Sequence, residues 1–427
     1  MRIHGAVAVT VLAAVLLSGC HKKPIGTLSE PIPAPPQYSR PLPEGQLALR
    51  RITDPAEIPD FTAACADLTN LREALARSIN YMSKPSSQRY FPYGQITHEH
   101  ALASLKAFAA MLDSGMSPSA MNAAMRDRFD VYTSVGWDGS GTVLFTGYYT
   151  PIFDASPAPT GRFRHPLYKE PPGLVKGEEG TILGIRGSGG QLSRCPARRE
   201  LEGSSLLKGC ELAYLADPFE AYVAQVQGSA RLRLPDGRMI TVGYSANNGY
   251  EYNSVAMELV KDGKIARESL SLQAMMDYFR AHPDEVEEYV SRNPRFVFFS
   301  VTDGDPRGSL NEPVSVLRTI ATDKSVFPRA CLAFVSTQLP RRSDGAVLRP
   351  YRGFALDQDS GGAIRAAGRC DVYMGIGQEA ADLAGRTQQE GRLYYLFLKP
   401  AMVTTPPLPA MTNARPVTTP IQPPEAR

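Results

Sequence analysis

Four aspartates stand apart from the solvated majority of acids: Asp323, Asp357, Asp359 and Asp371. Asp359 precedes Ser360-Gly361-Gly362-Ala363-Ile364, an abrupt turn into an apolar pair, and Asp371 sits among Cys370, Val372 and Tyr373 in a predicted strand. Carboxyl groups suit glycosidic cleavage, in which an acid protonates the leaving oxygen and a second carboxylate commonly acts as base or nucleophile. A plainer reading stands beside that one. An Asp in a turn is usually a turn former, whereas an Asp inside a strand is rarer because Asp is depleted there.

Other chemistries find less support. His98-Glu99-His100 has the letters of a zinc site without the i, i+4 spacing that puts both imidazoles on one helix face. With six histidines in the chain, two of them (His4 and His21) in or beside the N-terminal segment, no metal is expected. Gly375-Ile376-Gly377-Gln378-Glu379-Ala380 matches a dinucleotide fingerprint, but about fifty residues from the C-terminus no such domain can follow, and no acid stands about 20 residues on. A tight strand-to-helix turn explains it better, and no cofactor is expected. There is no GxSxG elbow, and no cysteine lies in a recognisable Cys/His context.

The elements that must carry the aspartates follow from periodicity. Leu68, Leu71, Ala74, Leu75 and Ile79 sit at helical spacing, as do Ala101, Leu102, Leu105, Phe108 and Leu112 behind Thr97, a good N-cap. After Gly136 the pattern turns to strands: 142–145, 147–151, then 222–234 and 239–244 joined by the hairpin signal Pro235-Asp236-Gly237. Two helices are expected near 268–281 and 284–292, followed by strands at 296–299, 332–335, 353–356, 372–374 and 393–398. Helices, many strands, a helical pair and strands again describe a mainly β protein with helices, of the α+β class with at least one β-barrel.

Composition narrows the partners. The 46 basic and 43 acidic residues leave a formal charge of +3, with no basic block interleaved with aromatics, so no nucleic acid is expected. Arg2 and His4 precede an apolar run from Ala6 to Leu17 that ends in Ser18-Gly19-Cys20. That is the pattern of a secretory signal, and the run is shorter than the roughly 20 apolar residues of a spanning helix. Small residues abutting Cys20 give a bacterial lipobox, with Cys20 lipidated; the alternatives are an ordinary signal peptide or an uncleaved anchor. Pro24, Pro31, Pro33, Pro35, Pro36, Pro41 and Pro43 make 21–59 a tether. Export permits disulfides; of Cys65, Cys195, Cys210, Cys331 and Cys370, the pair Cys195–Cys210 is preferred as a loop staple.

Six ordered motifs resemble the membrane-bound lytic murein transglycosylase A family with its C-terminal three-aspartate (3D) module. Phe145-Thr146-Gly147-Tyr148-Tyr149-Thr150-Pro151 is similar to its tyrosine-rich motif, and Asp217-Pro218-Phe219 through Val226-Gln227-Gly228-Ser229, with Gly243-Tyr244 and Asn248-Gly249, to its central block. Asn293-Pro294 with 296–299, then Ala321-Thr322-Asp323, 359–364 and Asp371-Val372-Tyr373 with Gly375-Ile376-Gly377, complete the set over about 60–400.

The resemblance implies a double-psi β-barrel domain with a smaller β-domain inserted in it and a groove between. The divisions are 1–20 signal peptide, 21–59 tether, 60–151 and 306–400 barrel, 152–305 insert and 401–427 disordered tail. It implies a peptidoglycan lytic exotransglycosylase, lipid-anchored on the periplasmic face of the outer membrane, whose partners are glycan strands, the membrane, and complexes of cell-wall synthesis or hydrolysis. Its single acid/base maps onto Asp371 with Asp359 beside it, and Thr150 falls where a family hydroxyl lies near that acid. Many relatives have an acid at the Thr150 position. The mechanism implied is protonation of the oxygen linking MurNAc to GlcNAc by Asp371, then attack of the MurNAc C6 hydroxyl on its own C1, giving 1,6-anhydro ends. Asp371 must then start protonated, lifted from ~3.9 by desolvation or by Asp359. Tyr148, Tyr149, Tyr244 and Tyr250 are candidate walls for sugars or ordinary packing. Gln227 is a candidate sugar-binding group or a strand-end partner, and Asp323 joins the substrate-binding set. A glycan hydrolase and a non-catalytic peptidoglycan-binding lipoprotein are the rival readings.

Overall fold

The computed structural model describes residues 36–403, apart from 178, 179, 188, 303 and 342–346. Its strands in chain order are β1 (Leu49–Arg51), β2 (Phe129–Ser134), β3 (Val143–Thr150), β4 (Ile152–Ser156), β5 (His165–Tyr168), β6 (Leu174–Lys176), β7 (Ile182–Arg186), β8 (Leu192–Ser193) and β9 (Glu211–Leu215). Then come β10 (Ser229–Arg233), β11 (Met239–Asn247), β12 (Val297–Thr302), β13 (Thr319–Ala321), β14 (Leu332–Pro340), β15 (Leu348–Asp359), β16 (Arg369–Ile376) and β17 (Gln388–Leu398).

One sheet runs β1-β2-β17-β14-β15-β13-β16-β3, and β17 also pairs β3. That extra pairing closes β17, β14, β15, β13, β16 and β3 into a six-stranded barrel, the closure that removes exposed sheet edges. Pairing is parallel between β13 and β15 and between β16 and β3, and antiparallel elsewhere around the ring. Strand β14 opens on Leu332-Ala333-Phe334-Val335, all buried, because one face fills the barrel and the other meets helices. Helix Leu71–Met82 buries Leu71, Ala74, Leu75, Ser78 and Met82 at 3–4 spacing. Helix His98–Asp113 is capped by Thr97, whose hydroxyl accepts from the His100 amide as the sequence suggested. Their apolar faces join the barrel core, where Phe108 of the second helix lies edge-on to Phe354 at 5.0 Å and Phe61, ahead of both helices, lies edge-on to Phe334 at 4.9 Å.

The chain leaves the barrel through Pro151, between β3 and β4, and builds a six-stranded sheet of order β12-β11-β10-β4-β9-β5 with its own core. A three-stranded sheet, β6-β7-β8, lies against a third small cluster. The hairpin at Pro235-Asp236-Gly237 forms between β10 and β11, with Gly237 at φ +84°. The helical pair expected near 268–281 and 284–292 is found as Leu272–Ala281 and Val286–Ser291.

Three expectations are corrected. The segment 222–227, read as strand, is the end of helix Pro218–Gln227; Asp217 caps it through the Phe219 and Glu220 amides, Pro218 takes the first turn, and Gly228 at φ +73° ends it. The expected tether does not extend to 59. Tyr38 donates to Glu390 and packs edge-on to Trp137, the Ala48 amide bonds the Val326 carbonyl, and β1 pairs β2. Cys195 and Cys210 form no staple: both are buried free thiols, and Cys210 Sγ donates to the Leu206 carbonyl. Cys20, the N-terminal signal and the tail from 404 lie outside the described residues.

Candidate active site

Register brings the two carboxylates to one place. Ala321 in β13 pairs with Asp359 of β15 on one side and Asp371 of β16 on the other, so both acids flank a single small residue. Gln358 fixes the end of β15: its buried side chain donates to the Ala74 carbonyl and Ser78 hydroxyl of helix Leu71–Met82 and accepts from Thr319. On its other edge, Asp371 pairs with Thr146 of β3.

The two acids are treated differently. Asp359 is spent: Oδ1 accepts from the Ser309 and Ser360 amides, each at 2.8 Å, and Oδ2 accepts from the Tyr148 hydroxyl at 2.8 Å. Asp371 is engaged only through Oδ1, which accepts from the Thr146 hydroxyl and lies 3.6 Å from Nη2 of Arg369. That guanidinium also donates to Thr146 Oγ1 at 3.0 Å. Oδ2 of Asp371 has no hydrogen bond among the described residues. Burial pushes the Asp371 carboxyl up to about 6, against the pull of Arg369 and with a lesser push from Asp359. Burial also raises Asp359, while its amide and hydroxyl donors and the Lys324 charge work the other way. The arrangement is one hydrogen-bonded acceptor carboxylate beside one acid with a free oxygen.

Beneath them lies a buried ion pair. Lys324 donates to Asp357 and, at 3.0 Å, to Thr322; Thr322 and Tyr395 hydroxyls each donate to Asp357 at 2.7 Å. These residues stiffen the barrel side of a groove of about 680 Å³. Its wall carries Tyr148, Lys324, Asp359, Asp371 and Tyr373 from the barrel, and Gln227, Tyr244, Tyr252 and Arg295 from the inserted sheet and its connections.

The remaining candidates divide. Tyr148 and the half-exposed Tyr244 line the groove, and Asn247 donates to the Tyr244 hydroxyl. Tyr149 does not: it is buried in the barrel core, because successive side chains of β3 face opposite ways. Tyr250 is outside the wall, under the Arg194 guanidinium at 4.1 Å. Gln227 is on the wall, but its Oε1 accepts from the Tyr149 amide at 3.2 Å, satisfying strand backbone. Thr150 lies on the wall four residues beyond Thr146, buried, its hydroxyl 3.0 Å from that of Tyr373 and 3.1 Å from that of Ser229. The hydroxyl that touches Asp371 is Thr146. Asp323 also reaches the wall, with Oδ1 accepting from the Ser325 amide and hydroxyl and Oδ2 from the Ala366 amide. His98 bonds Ser87, and His100 the Leu398 carbonyl. Gly375 and Gly377, at φ +119° and +82°, form the turn from β16 into helix Gln378–Gly385.

Thr146, Arg369 and Lys324 were not singled out from sequence. Thr146 sits inside the tyrosine-rich motif, and Arg369 at the i−2 position of a strand acid, where alternation puts both on one face. Lys324 directly follows Ala321-Thr322-Asp323, which gave no hint of its burial.

Comparison with known proteins agrees with this architecture. A model of the MltA-specific insert domain matches residues 144–300, and a model of the 3D domain matches 318–397. The chain is 30% identical over 275 residues to membrane-bound lytic murein transglycosylase A of Escherichia coli (strain K12), covering 64% of this chain and 70% of that protein. In fold it is similar to a membrane-bound lytic murein transglycosylase from Agrobacterium tumefaciens, with TM-score 0.70 and 24% identity over 83% of this chain and 99% of that one. It is also similar to E. coli MltA with bound chitohexaose, with TM-score 0.61 and 25% identity over 86% of this chain and 97% of that one. The chain belongs to the membrane-bound lytic murein transglycosylase A family.

Proposed function

We propose that this protein is a lytic transglycosylase that cuts the MurNAc-β-1,4-GlcNAc bond of peptidoglycan with Asp371 as its single acid and base. The observation that carries this reading is the free Oδ2 of a desolvated carboxyl, pushed up to about 6, in a groove of saccharide size. Asp371 donates its proton to the bridging oxygen as the C1–O bond breaks. The resulting carboxylate, steadied on Oδ1 by Thr146 and Arg369, then accepts the proton of the MurNAc C6 hydroxyl as that oxygen bonds C1. The attacking group is tethered to its target, so effective molarity stands in for a second enzymic nucleophile. Asp359, held by three donors, keeps a negative charge near the developing positive charge at C1.

Bound chitohexaose in the E. coli relative supports a saccharide occupant for this groove. The proposed divisions are a barrel domain of 60–151 and 306–400 with an insert of 152–305. Cys20 is the proposed lipid attachment, placing the enzyme on the periplasmic face of the outer membrane. Asp371→Asn should leave a folded protein that binds glycan and does not digest sacculi. Digestion at near the parent's rate would move the role to another group.

A further inference from the structure

Six cations line the groove, and three of them are matched. Arg198 pairs with Glu202 at 3.3 Å, Lys324 with Asp357, and Arg365 with Glu251 at 2.9 Å. Arg295, Arg307 and Arg329 form no ion pair among the described residues. None of the groove's own acids pairs with them among the described residues. Asp323 is committed to the Ser325 and Ala366 amides, Asp359 to Tyr148 and two amides, and Asp371 to Thr146 and Arg369.

Arg329 is the one of the three with a buried donor left unpaired. Its guanidinium lies over the Tyr90 ring with Cζ 3.9 Å from the centroid, which fixes the plane of the fork. Its Nε is buried and has no hydrogen-bond partner. A buried donor left unsatisfied costs stability and calls for an explanation. Arg307, on the segment returning from β12 to β13, spends Nη1 on the Asn311 carbonyl at 2.8 Å and keeps the rest of its fork.

The glycan backbone of the proposed substrate is uncharged apart from the lactyl group of MurNAc, which carries the peptide stem as an amide. Carboxylates on this polymer therefore sit on the stems, or on the lactyl group itself once the stem has been removed. A planar guanidinium takes a carboxylate through two parallel hydrogen bonds. We infer that Arg329, with Arg307, binds a peptide-stem carboxylate, so that the groove reads stem-bearing glycan in preference to bare glycan. This rests on the peptidoglycan reading of the same groove.

The test compares kcat/KM on stem-bearing strands with that on strands stripped of stems by an amidase, which keep the lactyl carboxylate. The parent should favour stem-bearing strands by about tenfold, the worth of one charge-assisted pair. Arg329→Gln should erase most of that preference and Arg329→Lys only part of it, since lysine keeps the charge without the fork. Arg307→Gln should reduce it independently. Amidating the stem carboxylates should lower the parent to its rate on bare strands and leave Arg329→Gln unmoved. A parent without preference, or an Arg329→Gln that retains it, overturns the inference. So does equal loss on both strands by a variant that melts like the parent, since that places the arginine on the glycan backbone common to both. If the parent cuts neither strand, the lytic reading fails, and calorimetric binding of stem-bearing and bare fragments then decides the inference by the same comparison.

Discussion

Nη2 of Arg369 lies 3.6 Å from Oδ1 of Asp371, two residues further along β16 and on the same face of the strand. Arg369 pulls the acid down while burial and Asp359 push it up. The reactive form is protonated, so turnover should fall as pH rises beyond about 6. Replacing Arg369 with Gln removes the downward pull, and the alkaline limb of kcat/KM should move to higher pH. Asp359→Asn removes an upward push and should move it to lower pH, with a loss of rate of at least about tenfold from the missing charge. Limbs that coincide with the parent's in both variants would show that neither residue tunes Asp371.

The same burial has a stability cost. Because the folded pKa exceeds the unfolded one, the native state holds this proton more tightly. Stability from this group is therefore full below 3.8, declines as pH rises to about 6, and stays reduced above. Asp371→Asn should raise stability at pH 7 by up to about 3 kcal/mol while ending turnover. Urea unfolding at pH 7 and at pH 4 checks it. The gain should shrink toward zero at the lower pH, and an equal gain at both would point to a cause other than ionisation.

Lys324 and Asp357 are 6% and 0% exposed, so loss of one partner strands a charge in the barrel wall. Lys324→Met should cost about 3–5 kcal/mol, and adding Asp357→Leu should recover much of it. Thermal or urea melts of the single and double variants give the answer directly. A double variant no better than the single would mean that the Thr322 and Tyr395 hydroxyls, not the charge, set the cost.

Much of this site is legible in the sequence. Asp371 was conspicuous because a carboxyl inside a strand needs a reason, and the turn after Asp359 set that residue apart. Thr97 and the hairpin at Asp236-Gly237 are local signals, and both did what local chemistry asks. Thr146 was a different case: a hydroxyl in a strand is commonplace, and its partner is 225 residues away, brought alongside only by the parallel pairing of β16 with β3. Helix Pro218–Gln227 was misread because Tyr222, Val223 and Val226 have strand-like side chains, although Asp217-Pro218 carried the cap-and-proline start that should have outweighed them. The prolines near Tyr38 likewise masked a segment whose anchors, Val326 and Glu390, lie far along the chain.

Those anchors make truncation informative. A chain beginning at residue 37 should melt and turn over like the full chain. One beginning at residue 60 loses β1, the Ala48 amide bond to Val326 and the Tyr38 contact with Trp137, and should melt several degrees lower. Trp137 is the chain's one tryptophan, so its emission reports the second loss without a label. Identical melts for the two chains would show that 37–59 lies on the fold without supporting it.

Asp371 as sole acid and base, with the C6 hydroxyl of MurNAc as nucleophile, is tested most directly by mass spectrometry of fragments released from sacculi in oxygen-18 water. Every new MurNAc end is expected as the 1,6-anhydro form with no heavy oxygen at C1. Reducing ends carrying oxygen-18 would contradict it and make the protein a hydrolase that directs water with a second carboxylate, for which Asp359 is the first candidate.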